Sequence, residues 1–388
     1  MTSTNDLILK KIEDPSCKNP PIWHGMTRVL LFVFISIRHI GGNGIRIPLS
    51  INDPQGYRNQ MFYGTISIGT PPQKLNISFD TTVYYNILLT NYCEGSYCHD
   101  ENHTTYNHTT FNYKNSTTYR CRRWFCHRGT DTFSIGNIQI QKVEFAHVRP
   151  SMLPEFDIKL SGAVSLHPHN EEFLEHCKKL GLEKKFSFYT NYPWDYSTSE
   201  LMLCGEDKTK FRGNLQYVPM TNANITWGWS ITTQSIFLHH NDKSVRTMEF
   251  LDRVFMVEPD FPYIRVPSKD IEKIHEVLHI TTSKNGNLEE VDCKTVHTLP
   301  SITFRIAGTD FTLDGNDYIQ QLMQNDQQVC IVRLIPQVGP FHSDYWTIGN
   351  VFTRKFYTVI DVEKRRVGFA ESIHGNRPEV FLYKHDSE

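Results

Sequence analysis

Long hydrophobic runs are missing from this 388-residue chain. Its most apolar stretch, Val29–Ile37 (VLLFVFISI), is nine residues long, less than half of what a helix needs to cross a bilayer, so no stable membrane span is expected. A dominant sign of charge is missing too. With 40 Lys and Arg against 42 Asp and Glu, the formal net charge is -2, which gives no ground for nucleic acid or an anionic membrane as partner. The nine cysteines also lack the spacing and the extra partners that thiolate metal ligation wants, so no metal or other cofactor is expected. What is there is an ordinary globular composition, 39% apolar and 21% charged. The length suits two domains or one large bilobal one.

Val29–Ile37 lies between Arg28 and Arg38, follows Met26-Thr27 and precedes the small, loose IGGNG. That order is the order of a secretory signal, read here as residues 26–44 within a leader of 1–44. The competing reading is a buried strand, but no turn-rich strand partner surrounds the segment. Asn-x-Ser/Thr acceptors at Asn76, Asn102, Asn107, Asn115 and Asn224 agree with a secreted protein or one in the secretory-pathway lumen. Three of them fall in His99–Thr118, which holds the repeat NHTTY/NHTTF and reads as an exposed, glycosylated loop. Its histidines, His99, His103 and His108, are read as solvated rather than metal-binding.

Most of the chain reads as short alternating strands punctuated by Gly, Pro and Asn, among them MFYGTISIG, KLNISFD, SITFRIAGTDFTL and FYTVIDVEKRRVGFA. The expected class is all-β. One helix is expected over Glu171–Leu180, with Asn170 as N-cap, Phe173, Leu174, Cys177 and Leu180 on one face and Gly181 as its stop. A second starts at Ser268 and buries Ile271, Ile274, Val277 and Leu278. Cys177, on the apolar face of the first helix, reads as a buried free thiol.

Two acids share one setting. KLNISFDTT ends an apolar strand on Asp80, and MVEPDFPYI ends another on Glu258. With YGTISIGTPPQKLNISFDT, Cys93-x4-Cys98, CGEDKTKFRGNLQYVPMT, the Cys293 to Cys330 segment and YWTIGNVFTRKFYTVIDVEKRRVGFA in that order, the chain resembles the pepsin-like aspartic peptidases over nearly everything after residue 60. The resemblance implies a bilobal fold of two antiparallel β lobes, 45–218 and 219–388, with a cleft between them and a few short helices. It also implies disulfides Cys93–Cys98 and Cys293–Cys330. In an oxidising compartment Cys121–Cys126 is expected to close as well.

In that family two acids share a site, and one keeps a proton while the other activates water. Here Asp80 and Thr81 match the first Asp-Thr-Gly, but the glycine is Thr82 and the supporting hydroxyl is Val83. Tyr84 and Tyr85 follow, with one extra residue before Ile87. In the second lobe the acid falls on Glu258, the threonine on Pro259, the glycine on Asp260 and the next two residues on Phe261 and Pro262. Bracing Gly349 is kept, Ser165 replaces its first-lobe counterpart, and Asn350 stands where the family usually has Asp. The flap tyrosine lands on Tyr119, beside the tip RCRRWFCHRG.

The resemblance therefore implies Asp80 and Glu258 at the catalytic positions and Thr81 and Tyr119 beside the substrate. The cradle around the acids is degraded, and little length is left for a pro-segment. The expected function is a secreted, monomeric pseudo-peptidase that keeps a cleft for a peptide or protein ligand. An acidic or sulfated ligand at the basic flap (Arg120, Arg122, Arg123, His127 and Arg128) is a further expectation, against a merely solvated hairpin. The alternative is an active acid endopeptidase using Asp80 with Glu258 or Asp260.

Overall fold

The computed structural model describes residues 44–51, 61–89, 112–113, 119–121, 124–135, 138–148, 160–192, 198–221, 228–240, 246–282, 289–324, 327–337, 344–374 and 383–384. These belong to one compact unit, Ile40–Glu388, and it is built almost wholly of strands with a few short helices.

The architecture repeats itself. In the first half, Gln73–Asp80 runs parallel to Gly162–Ser165, with Phe79 opposite Val164 and Asp80 opposite Ser165. The chain then returns as Ile87–Leu89, antiparallel to the other side of Gly162–Ser165. In the second half, Val254–Val257 runs parallel to Tyr345–Ile348, with Val257 opposite Ile348, and Ile264–Val266 returns antiparallel to the other side of Tyr345–Ile348. Each half thus wedges a late strand between the two arms of an early loop. The tips of those loops carry Asp80 and Glu258. Parallel pairing of this kind needs a long crossover, which is why residues 85 to 91 apart in sequence meet here.

A base of antiparallel strands ties the halves together. Lys185–Tyr189 from the first half pairs with Phe356–Asp361 from the second, and Ser199–Leu203 and Arg366–Ser372 extend the sheet on either side. Its residues are buried on both faces: Lys185–Tyr189, Ser199–Leu203 and Phe356–Asp361 are buried throughout. One core cluster runs through both halves, with Phe79, Phe186, Trp229, Phe255, Phe304 and Trp346 among its members.

Three expectations need correction. Leu180, expected on the apolar face of the first helix, lies just past its end and is exposed. The first helix is Glu172–Lys179, preceded by Glu171 with no side-chain cap. Asn170 instead donates its N–H to the His167 carbonyl, so the Asn-Glu start signal is spent on the preceding turn; Gly181, at φ +70, does close the helix. Cys177 is not a free thiol but is disulfide-bonded to Cys204. Cys204 follows directly on the strand Ser199–Leu203, and the fold brings it to the helix's Cys177, 27 residues away in sequence, a pairing that spacing alone does not announce. Cys293–Cys330 is also bonded. The second helix begins at Ser268 and buries Ile271, Ile274 and Leu278, with Val277 half-buried.

Several expected features lie outside the described residues: 1–43 of the leader, Cys93, Cys98, Asn102, Asn107, Asn115, Asn224, Arg122, Arg123 and the histidines at 99, 103 and 108. The side chains of Tyr119, Arg120, Cys121, Cys126 and His127 lie outside them as well, although the backbone of Tyr119–Cys121 pairs with Trp124–Ile135.

Candidate active site

The first loop closes on its own acid. Asp80 Oδ1 accepts from the Thr82 N–H at 2.6 Å, the Thr82 hydroxyl at 2.8 Å and the Val83 N–H at 3.0 Å. Thr82, at the degraded glycine position, therefore supplies a hydroxyl to the acid it follows. The return arm is pinned by Asn86, whose amide donates to the Glu144 carbonyl while its oxygen accepts from the Ser165 N–H. Between these anchors a side chain fits at 165, and the Ser165 hydroxyl donates to the Val83 carbonyl at 2.5 Å. The loop's two aromatics, Tyr84 and Tyr85, wall a pocket of ≈ 240 Å³ together with Arg128, Glu144 and His169.

The second loop is tighter. A Cβ on Gly349 would stand 2.2 Å from the carbonyl oxygens of both Phe261 and Tyr263, closer than any side chain tolerates, so glycine is obligatory there. The Asn350 N–H donates to Phe261 O, and Arg333, buried below, donates through Nη2 to Pro262 O at 2.9 Å. The Arg333 guanidinium also lies 4.1 Å from the centre of the Tyr263 ring.

Loops from the two halves meet at a buried acidic cluster. Glu258 and Asp260 are 5% and 7% exposed, and both feel the charge of Asp80. The Thr81 hydroxyl, fully buried, donates across the halves to Asp260 Oδ1 at 3.2 Å. A second link runs from Trp229 Nε1 to the Leu166 carbonyl at 2.7 Å. Glu258 makes an ion pair with Arg265, Nη1 to Oε2 at 3.1 Å. Burial lifts the Glu258 carboxyl from an ordinary 4.5 to about 7, with Arg265 pulling it down and Asp80 pushing it up. Burial also lifts Asp260 well above the ordinary aspartate value, reinforced by Asp80 and Glu258. Two buried acids near a third hold their protons because separate charges there are costly.

Of the expected site residues, Asp80, Thr81, Glu258 and Asp260 come together. Arg265 was not singled out from the sequence, yet it is the cation of the cluster. Its signal is a lone arginine in the apolar stretch YIRVP, seven residues past Glu258. Asn76 lies in the strand Gln73–Asp80, half-buried, with its side chain accepting from the Thr65 hydroxyl. No group of three or more His, Cys, Asp or Glu placed to hold a metal ion is found among the described residues.

Comparison with known proteins agrees with this geometry. The family model for eukaryotic aspartyl protease matches residues 61–372. Renin-2 of Mus musculus is 27% identical over 337 residues, covering 81% of this chain and 80% of the relative. Cathepsin D of Clupea harengus is 26% identical over 343 residues, covering 82% and 83%, and pepsin B of Canis lupus familiaris is 26% identical over 330 residues, covering 81% and 82%. With a repeated strand–loop unit in each half, an acid at each loop tip and a family match spanning both, the chain belongs to the eukaryotic aspartyl protease family.

Proposed function

We propose that this member of the family binds peptide or protein segments in the cleft between its lobes and does not hydrolyse them as pepsin-like enzymes do. The observation that carries this is Asp260: a third carboxyl, buried, in contact with the Thr81 hydroxyl and within reach of the charges of Asp80 and Glu258. Aspartic dyad chemistry confines one proton to two carboxyls. Here a third acid competes for it, and Pro259 beside it has neither a hydroxyl nor an N–H to offer. The test is digestion of a denatured protein by the purified chain between pH 3 and 7, with and without pepstatin; inhibitor-sensitive cleavage that Asp80→Asn abolishes would refute the reading.

A second reading, acid endopeptidase activity through Asp80 with Glu258, is favoured by one observation. Glu258 is buried within reach of Asp80's charge and keeps a proton up to about pH 7, as the acid partner of such a pair must. We place the lobes at 45–218 and 219–388. The chain acts as a monomer in the secretory-pathway lumen or outside the cell, glycosylated at its sequons. Two disulfides, Cys177–Cys204 and Cys293–Cys330, support that compartment, since such bonds persist where the surroundings oxidise.

A further inference from the structure

We propose that Arg265 makes the cleft floor a receptor for a carboxylate carried by the bound peptide. This rests on the peptide-binding reading above and adds the chemistry of the ligand.

The guanidinium is held from two directions. Its central carbon lies 3.4 Å from the centre of the Phe261 ring, a stacked geometry that arginine adopts readily on aromatic faces. Nη1 reaches Glu258 Oε2 at 3.1 Å. The side chain is nevertheless 29% exposed. Among the described residues, Nε and Nη2 have no hydrogen-bond partner, and neither is buried. These two nitrogens form one edge of the guanidinium fork, and such an edge matches the two oxygens of a carboxylate. The arginine is therefore fixed in orientation with a bidentate edge open.

An anion is the fitting ligand despite the acids nearby. The groups that face Glu258 are Arg265 on the return strand, Asp260 in its own loop and Asp80 from the other lobe. Burial keeps Glu258 protonated up to about pH 7 and Asp260 to higher pH than an ordinary aspartate. Asp80 Oδ1 is already occupied by the three donors of its own loop. In mildly acidic solution the charge of Arg265 is thus not cancelled by Glu258, and a peptide carboxylate supplies the counter-charge. Either an acidic side chain or a free C-terminus offers that group.

The test is calorimetric titration of the intact protein at pH 6 with three peptides: Ac-Phe-Leu-Glu-Phe-Leu-NH2, its glutamine twin, and the glutamine twin with a free carboxyl terminus. The expected result is roughly tenfold tighter binding of a carboxylate-bearing peptide than of the neutral twin, since hydrogen bonds to charged groups are the stronger kind. Whichever charged peptide gains identifies the source of the carboxylate. Arg265→Leu should erase the preference, and Arg265→Lys should keep only part of it because an ammonium has no fork. Raising the pH to 8, which ionises Glu258, should shrink the preference in the unaltered protein and so tests the idea even if the leucine variant fails to fold. Equal affinity for all three peptides, or a preference that survives Arg265→Leu, overturns the role of Arg265 alone. Failure of every peptide to bind overturns the cleft reading with it.

Discussion

Raising the pH from 5 to 8 is expected to weaken the folded protein, and Glu258 is one reason that can be isolated. In the unfolded chain this carboxyl releases its proton near 4.5, whereas in the folded protein it holds it up to about 7. Between those values the folded state binds more protons than the unfolded one, so stability falls as pH rises. Below about 4.5 both states are protonated and the group contributes nothing. Above about 7 its loss is complete. A rise from 4.5 to about 7 corresponds to about 3 kcal/mol at 1.36 kcal/mol per pH unit. Asp260, raised by burial and by the same neighbours, acts with the same sign and extends the fall. Asp207 and Glu175 are lowered, so their effects have the opposite sign but fall in more acidic solution than this window; His176, lowered by burial, opposes the fall inside it and cancels in the comparison with a Glu258 variant.

The assay is urea unfolding at pH 5.0, 6.0, 7.0 and 8.0 for the unaltered protein and for Glu258→Gln. Glutamine copies the shape of the protonated acid and cannot ionise, so Arg265 keeps an oxygen to bond. The unaltered protein should lose about 2.5 kcal/mol between pH 5 and 8 relative to the variant, with the curves closest near pH 5 and diverging towards 8. Parallel curves would show that Glu258 is not the buried acid described here, and a variant that loses stability faster with pH would reverse the sign of the argument.

Gly349→Ala forces a methyl against two carbonyl oxygens at 2.2 Å and should cost about 3 kcal/mol or prevent folding, measured by thermal unfolding. Reducing or replacing the Cys177–Cys204 bond by Cys177→Ala should destabilise the protein by about 2–4 kcal/mol, and non-reducing peptide mapping should recover the two cysteines in one cross-linked fragment. Glu258→Asp alone should give no pepstatin-sensitive cleavage, because Pro259, Asp260 and Arg265 remain and even 1 Å of misplacement can cost about a hundredfold in rate. Rebuilding Asp-Thr-Gly at both 80–82 and 258–260 is the smallest change expected to give acid-optimum cleavage in a digestion assay.

The strands and their order were legible because they follow from alternation that survives divergence. KLNISFD and MVEPD each read as an apolar strand ending on an acid, and each is built that way, because the buried positions of Gln73–Asp80 and Val254–Val257 pair with a parallel neighbour whatever the loop beyond them contains. What resisted reading depends on which residues face one another after the chain doubles back. Glu258 and Arg265 lie on opposite arms of one loop, and nothing in YIRVP shows that its arginine turns towards the acid. Ser165 looked like the loss of a bracing glycine, yet its hydroxyl finds room and bonds the Val83 carbonyl. No such room exists at Gly349. Cys177 paired with a cysteine whose nearness depends on how a short helix lies on a strand end.

These details share a physical cause. The strands that carry the loops are held mainly by ladders and core side chains before the tips. At Asp80 and Glu258 it is the backbone that joins the neighbouring strand, so side chains at the tips can change with little penalty to the fold. In the first lobe the acid's oxygen is satisfied by its own loop. In the second it leans on an arginine. The link between the halves that reaches the acids has become a hydroxyl donating to a carboxyl, Thr81 to Asp260, whose strength varies with the carboxyl's protonation. A symmetric pair of acids sharing one proton has been replaced by three unequally supported acids and one cation. Both the proposed loss of water activation and the proposed carboxylate site rest on that asymmetry.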